Sequence, residues 1–203
     1  GNTATPHGES GRREGKVFRR VELMKQWVPI ILKFWFEETT PQQKFMKDLA
    51  FDTVVKTKFE PLYWSAMKAE TEVWRDTADG RLAEVIVLDQ FSRNIFRNDK
   101  QAFAGDHLAL ELAKKAVEVG ADMEVDSERR FFFYLPFMHS ESKEVHEEAL
   151  KLFEEKSPGS GLEFEIKHKV IIDQFGRYPH RNAVLGREST PAEEEFLKTH
   201  SGF

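Results

Sequence analysis

The sequence predicts an all-α protein, a bundle of antiparallel helix pairs stacked into an α–α superhelix. Three observations lead to this prediction. Apolar residues recur at helical spacing through most of the chain, and helix-capping signals repeat along it. The connections between helices are short, which favours antiparallel packing of neighbours. A chain of 203 residues is expected to form one domain around one core.

Capping signals mark the predicted helix starts most clearly. Thr40 and Thr190 are each followed by Pro and, three residues later, by Gln or Glu, which is the pattern of a capping box with Pro in the first turn. Asp106 is predicted to cap a helix that ends at Gly120, because Gly commonly follows the last helical residue. These signals divide the chain into consecutive helices of ordinary length.

The segment Leu162–Phe175 is consistent with two structures. Its first residues alternate between apolar and polar, as in a strand, but Ile166, Val170 and Asp173 have the spacing of a helix. We predict a helix, because no partner strand is visible elsewhere in the chain.

Composition bounds the domain organisation and the location. Residues 1–16 lack periodicity and are predicted to be a disordered tail, and residues 17–203 to be a single helical domain. The longest apolar stretches fall short of the roughly 20 residues of a membrane span, and no secretory signal is present. We therefore expect a soluble intracellular protein, in the cytoplasm, with organellar import of a processed chain as the alternative.

Charge and residue usage exclude several classes of function. The net charge is −5 with both signs mixed along the chain, which argues against an extended nucleic-acid surface. The absence of Cys excludes disulfides, metal–thiolate sites and a cysteine nucleophile. No phosphate-cradling loop, dinucleotide fingerprint or metal-binding spacing occurs. The sequence therefore predicts neither a cofactor nor a metal.

The first candidate motif is Leu88–Asn94. Asp89 follows Val85 and Ile86 at helical spacing, so its carboxylate is predicted to face the core, and Arg93 lies one turn further along. A core-facing carboxylate requires a partner, because an isolated buried charge is very costly. The motif is either a structural ion pair or a guanidinium held rigid to bind an anion, with Asn94 beside it.

The second motif, residues 175–188, is the densest polar cluster in the chain. Its Gly and Pro residues predict a shaped loop, and guanidinium forks suit carboxylate or phosphate. Its candidate ligand-binding side chains are Arg177, His180, Arg181, Asn182 and Arg187. The structural alternative is a well-anchored connection whose arginines cap helix ends.

The two motifs resemble each other. The run of eight residues that begins at Ile86 is echoed by the run that begins at Val170, so Asp173 stands where Asp89 stands in the first. The echo marks either two equivalent corners of the fold or a coincidence.

The third motif joins an aromatic run to polar residues. Residues 131–138 are apolar on every face, as in a central helix, which Pro136 is predicted to kink or end. His139 follows as a candidate general base, and Ser140 or Ser142 is predicted to cap the next helix. The remaining histidines are predicted to lie on exposed faces or near helix ends; His146 and His168 are among those on polar, exposed faces.

These motifs, in this order, resemble the bacterial proteins of domain-of-unknown-function family nine-two-four over about residues 28–203. The resemblance implies an all-helical fold similar to tetratricopeptide-repeat domains and implies no activity. The chain departs from the family at Ser92, where Pro is usual, and at Met138, where Glu is usual. If that glutamate works with the neighbouring histidine in other members, this chain lacks the pairing.

Three functions remain open at this point. The first is a binding or interaction module that receives a protein, a peptide or a small anionic group at the arginine-rich corners. The second is an enzyme acting on a small anionic substrate, with His180 or His139 as acid–base group and Asp173 or Asp89 as its orienting carboxylate. The third is a structural subunit of a larger assembly. The enzyme requires that the corners meet around one site.

Overall fold

The computed structural model of the chain describes residues 7–203. These residues form helices joined by short connections and include no β-strand, so the all-α prediction is confirmed. The α-helices are α1 (His7–Lys25), α2 (Trp27–Lys33), α3 (Pro41–Phe45), α4 (Leu49–Met67), α5 (Ala78–Val85), α6 (Ser92–Ile95), α7 (Gln101–Ala104), α8 (Asp106–Glu118), α9 (Ser127–His139), α10 (Lys143–Lys156), α11 (Ser160–Phe175), α12 (Asn182–Leu185) and α13 (Pro191–Leu197). No described helix combines the length and the apolar character that crossing a membrane requires.

Most of the predicted N-terminal tail lies in α1 rather than in irregular chain. Residues 1–6 fall outside the described part of the chain, and residues 9–20 are helical with exposed side chains. The helix joins the remainder of the protein near its C-terminal end, where Met24 and Trp27 pack against the core. The disorder predicted for residues 1–16 stays a prediction.

One aromatic core holds the domain together. Trp35, Phe59, Phe91 and Phe133 are almost completely buried. The rings of Phe59 and Phe91 stack with centroids 4.7 Å apart, and Trp35 meets Phe91 edge to face at 5.7 Å. Such pairs add to the burial of apolar area, which is the main favourable term in folding. The aromatic run of α9 is therefore core, as predicted.

Helices α8 to α11 pack each against the next along the chain. This sequential packing agrees with the predicted helix pairs, and a tetratricopeptide-like superhelical arrangement stays a prediction. The ambiguous segment after Gly159 is helical as α11, so the helix prediction for it is confirmed.

The capping predictions are confirmed except at one position. Thr40 and Thr190 both form complete capping boxes, and Ser142 rather than Ser140 caps α10. The prediction for Asp106 was wrong: Gly105 holds the cap position of α8, and Asp106 is the first helical residue. Its carboxylate accepts from the side chain of Arg93 instead of the helix backbone.

Two π-helical turns and three 3₁₀ segments, Glu72–Asp76, Ala121–Glu124 and Pro179–Arg181, interrupt the regular α geometry of the described residues. Residues Phe34–Glu38 and Ile86–Phe91 form π-helical turns, which contain one more residue per hydrogen-bonded ring than an α-turn. Pro136 lies inside α9, which continues to His139. The helix therefore does not end at Pro136, and the kink, the other structure predicted for this position, stays a prediction.

Candidate functional site

Asp89 is a completely buried carboxylate on the π-helical turn Ile86–Phe91. Its Oδ1 lies 2.7 Å from Nδ1 of His139, and Gln90 donates to its Oδ2 at 2.7 Å. Burial favours the neutral acid, but attraction to His139 and Arg93 and hydrogen bonds from His139 and Gln90 outweigh it and hold the pKa of Asp89 at about 2. π-turns of this kind are frequent at functional sites.

His139 is the last residue of α9, and its ring is held from one side only. Asp89 accepts from Nδ1, whereas Nε2 has no partner among residues 7–203 and is absent from the buried unpartnered atoms. Nε2 therefore keeps some contact with solvent, and the side chain as a whole is 17 % exposed. Burial lowers the pKa of His139, and this effect outweighs the attraction of Asp89. The arrangement fixes the tautomer in which Nε2 is free to accept a proton.

Alternating carboxylates and guanidiniums continue from Asp89, and we call them the ion-pair chain. Its members, in order, are Asp89, Arg93, Asp106, Arg181, Glu141 and Arg187. Two links are bidentate, Arg93 to Asp106 at 2.8 and 3.0 Å and Arg187 to Glu141 at 2.9 and 3.1 Å. Burial opposes the charge of Arg93, yet Asp106 and Asp89 raise the pKa of its guanidinium.

Arg181 is the weakly paired member of the ion-pair chain. Its side chain is 7 % exposed, and its guanidinium lies 3.8 Å from Asp106 and 4.0 Å from Glu141, beyond hydrogen-bond distance. Nη2 donates to the backbone oxygen of His139 at 3.0 Å, whereas Nε is buried without an acceptor. Burial lowers the pKa of this guanidinium. A buried cation with unused hydrogen-bond donors destabilises the folded protein unless an acceptor binds those donors.

The first and second motifs therefore meet, through His139 and Arg181. The remaining ligand-binding candidates, apart from His180, are already paired within the protein. Arg177 binds Glu193, Asn94 donates to Asp52, and Asn182 donates to Ser189. Arg177 also lines a separate open concavity of about 520 Å³, away from His139. Among these side chains, Arg181 is the one that keeps unused donors beside the histidine.

His180 and Asp173 do not form the predicted pair. The His180 ring is half-buried between Tyr178 and Phe203, and its Nδ1 has no partner among the described residues. Asp173 is 46 % exposed and binds Lys169 at 2.7 Å. Because Asp89 is completely buried and Asp173 is not, the echo between the two motifs does not mark equivalent corners.

Three side chains hold the end of α9 in place. The backbone oxygens of Met138, His139 and Ser140 accept from Tyr178 Oη at 2.6 Å, Arg181 Nη2 at 3.0 Å and His146 Nε2 at 2.6 Å, respectively. These are carbonyls that the end of a helix leaves unsatisfied. The backbone of His139 is therefore fixed by groups from α10 and from the loop after α11.

Two predictions about histidines were wrong, for the same reason. His146 is completely buried and its Nδ1 contacts the buried carboxylate of Glu165 at 2.9 Å. His168 is 6 % exposed and stacks on Phe203, with ring centroids 3.6 Å apart. Both rings find polar partners inside the protein, so the polar faces on which they lie are not solvent faces.

The departure at Met138 does not remove the partner of His139. Met138 is 3 % exposed and belongs to the apolar core, and the imidazole pairs with Asp89 instead. At the other departure, Ser92 is completely buried and its Oγ has no partner among the described residues. An acid–base role for His139 therefore does not require a carboxylate at position 138.

We expect the stability of the protein to fall between pH 6.5 and pH 5, because burial lowers the pKa of His168 to about 3 and that of His180 to about 4. In this range the unfolded chain takes up protons that the native protein excludes, so stability falls as pH falls. His168 alone contributes a loss of about 2 kcal/mol at pH 5. In urea unfolding, the free energy of unfolding of His168→Gln should fall less with pH than that of the wild type, by that amount. His107→Gln, at an exposed position, should match the wild type. Equal pH profiles for all three proteins would contradict the assignment.

Comparisons with known proteins agree with the family resemblance and with the all-α fold. The solved structure of a protein of unknown function from Agrobacterium tumefaciens, ATU0120, matches with a TM-score of 0.82 and 36 % sequence identity. The match covers 86 % of this chain and 98 % of the other. No curated protein matches the sequence. The family described as bacterial protein of unknown function (DUF924) matches residues 31–201. The chain belongs to this bacterial family of unknown function, DUF924.

Proposed function

We propose that the protein binds a small anionic substrate at Arg181 and that His139 acts on it as a general acid–base group. One observation carries the proposal: Asp89 holds Nδ1 of His139 at 2.7 Å while Nε2 stays open to solvent. A histidine oriented by a buried carboxylate is the arrangement that general-base catalysis uses. This is the second of the three functions that the sequence leaves open.

The cation beside the histidine supports the anionic class of substrate. Nη2 of Arg181 donates to the backbone oxygen of His139 at 3.0 Å, so the guanidinium is held at the residue that carries the imidazole. Nη1 of Arg181 has no hydrogen-bond acceptor in the described part of the chain and is not among the buried unpartnered atoms, so solvent reaches it. A ligand carboxylate or phosphate there would supply the acceptor that Arg181 lacks.

A thermal-shift screen against carboxylates, phosphorylated metabolites and nucleotides tests the binding step. A ligand at about 100 times its dissociation constant adds about 2.7 kcal/mol to the free energy of unfolding. We expect at least one anion to stabilise the wild type and Arg177→Gln but not Arg181→Gln. The matched control removes an arginine of the same loop that Glu193 already pairs. If Arg181→Gln is unfolded, Arg181→Lys keeps the charge and removes the planar fork.

The acid–base step is tested on the anions that bind. Each is incubated with the wild type or with His139→Gln, and the mixture is analysed by mass spectrometry. A product formed by the wild type and lost at least 100-fold in the variant agrees with general acid–base catalysis, which contributes about 10²–10⁴ in rate. A hit that binds through Arg181 with no product in either protein would reduce the proposal to binding alone.

A second candidate function is the binding module or assembly subunit. It is favoured by apolar side chains that α11 leaves exposed, Phe164 at 49 %, Ile166 at 46 % and Val170 at 57 %. Exposed apolar patches commonly mark protein–protein contacts. A screen in which no anion stabilises the wild type, with Arg181→Gln merely less stable, would favour this candidate over the enzyme.

A further inference from the structure

We propose that the site takes a single carboxylate group, and that one proton is taken up at Nε2 of His139 as the carboxylate binds. This inference rests on the proposed function and names the substrate class for the same site. It follows from the charge of the ion-pair chain, from the aromatic rings that contact Arg181, and from the unpartnered Nε2 of His139.

The ion-pair chain is electrically neutral before anything binds. Its three guanidiniums, of Arg93, Arg181 and Arg187, face the three carboxylates of Asp89, Asp106 and Glu141. An anion of charge −1 therefore introduces an unbalanced charge into a largely buried cluster, which is costly. A proton acquired by His139 restores neutrality, because Nδ1 is already bonded to Asp89 and Nε2 is open. A dianion would leave one negative charge uncompensated.

The groups around His139 on each packed element are part of this balance. They are Asp89 and Arg93 from residues 86–95, Asp106 at the start of α8, His146 on α10, His168 on α11, and Arg181. Both ring nitrogens of His146 are held, by Glu165 and by the backbone oxygen of Ser140. His168, whose pKa burial lowers to about 3, stacks on Phe203. His139 is thus the member of this set with a ring nitrogen that solvent reaches beside Arg181.

The Arg181 guanidinium contacts two aromatic rings. Its Cζ lies 4.6 Å from the ring centroid of Phe103 and 4.8 Å from that of Tyr178. These contacts leave Nη1, the guanidinium nitrogen that solvent reaches, as the place where a ligand can approach. A planar carboxylate accepts in the guanidinium plane, and its charge matches the single proton that His139 can add. A phosphate dianion can also accept along the edge of a guanidinium, but its second charge would stay uncompensated.

Nuclear magnetic resonance titration of the His139 imidazole tests the inference with acetate and inorganic phosphate as probes. The spectrum of His139→Asn identifies the resonance, and sodium chloride at equal ionic strength is the control. We expect acetate to raise the pKa of His139 by about one unit for each tenfold rise in concentration above its dissociation constant. The shift should be retained in Arg177→Gln and lost in Arg181→Gln.

The outcomes separate this inference from the proposed function. Phosphate that shifts the resonance at lower concentration than acetate overturns the carboxylate class and leaves the anion site standing. Acetate that stabilises the protein through Arg181 without moving the pKa of His139 overturns the proton uptake alone. No effect of either anion beyond that of chloride removes both the inference and the anion site.

Discussion

Replacing Gly80 by Ala is expected to lower the free energy of unfolding by about 3 kcal/mol or more. An added Cβ would meet the backbone oxygen of Trp74, and its distance to the Trp74 carbonyl carbon would be 2.7 Å. Backbone atoms cannot move aside as the end of a flexible side chain can. Trp74 is itself fixed, because it is 1 % exposed and its Nε1 donates to the backbone oxygen of Met24.

Urea unfolding of Gly80→Ala, followed by circular dichroism, measures this loss. Gly15→Ala is the matched control, since Gly15 is also helical and its added Cβ meets nothing within 4 Å. Helix propensity alone favours Ala over Gly by up to about 1 kcal/mol, so the control should be neutral or slightly more stable. If Gly80→Ala were as stable as the control, this result would contradict the close packing of the Trp74 backbone on α5.

Asp106→Ala is expected to destabilise the protein by about 3 kcal/mol, because it leaves two guanidiniums without their carboxylate partner. Asp106 binds Arg93 through both oxygens and is the nearest carboxylate to Arg181, at 3.8 Å. The Asp106 side chain is 17 % exposed and that of Arg93 22 %, so water replaces the lost partner only in part. Removing one member of a buried pair costs more than the pair contributes, because the other charge is left unsolvated.

Thermal and urea unfolding of three variants test this expectation. Asp106→Asn keeps the shape and one acceptor, so its loss should fall between those of the wild type and Asp106→Ala. Glu111→Ala removes an exposed carboxylate of the same helix that pairs with Lys114 at 3.6 Å, and such surface pairs contribute about 0–1 kcal/mol. Indistinguishable losses for Asp106→Ala and Glu111→Ala would show that Arg93 does not depend on Asp106.

The sequence predicts well whatever depends on local spacing. The all-α class, the capping boxes and the burial of Asp89 follow from periodicity and turn chemistry, and the structure confirms them. The partnership of Asp89 with Arg93 was predicted from their spacing of four residues. At 3.8 Å it is the weaker of the two carboxylate contacts of Arg93, because Asp106 binds the same guanidinium in bidentate fashion.

Long-range pairing is what the sequence could not supply. His139 and Asp89 were both candidates, but their contact joins residues 50 positions apart. The burial of His146 depends on Glu165, another charged residue that periodicity places on a polar face. Phe103 lies in none of the three motifs, yet its ring contacts Arg181. Glu141 ends the third motif, but its position in the sequence does not predict that it joins the ion-pair chain. Buried polar pairs are hard to predict from sequence, because each residue of the pair, taken alone, is predicted to be exposed.

The π-helical turn at Ile86–Phe91 makes the candidate site sensitive to chain length as well as to residue type. A π-turn holds one residue more than the α-turn that it replaces. Deleting a single residue from Ile86–Leu88 would restore regular helix and rotate the residues on one side of the deletion by about 100° relative to the other. Asp89 would still be present, but its carboxylate would no longer lie beside His139. Relatives that carry every motif residue can therefore differ in this site through one deletion.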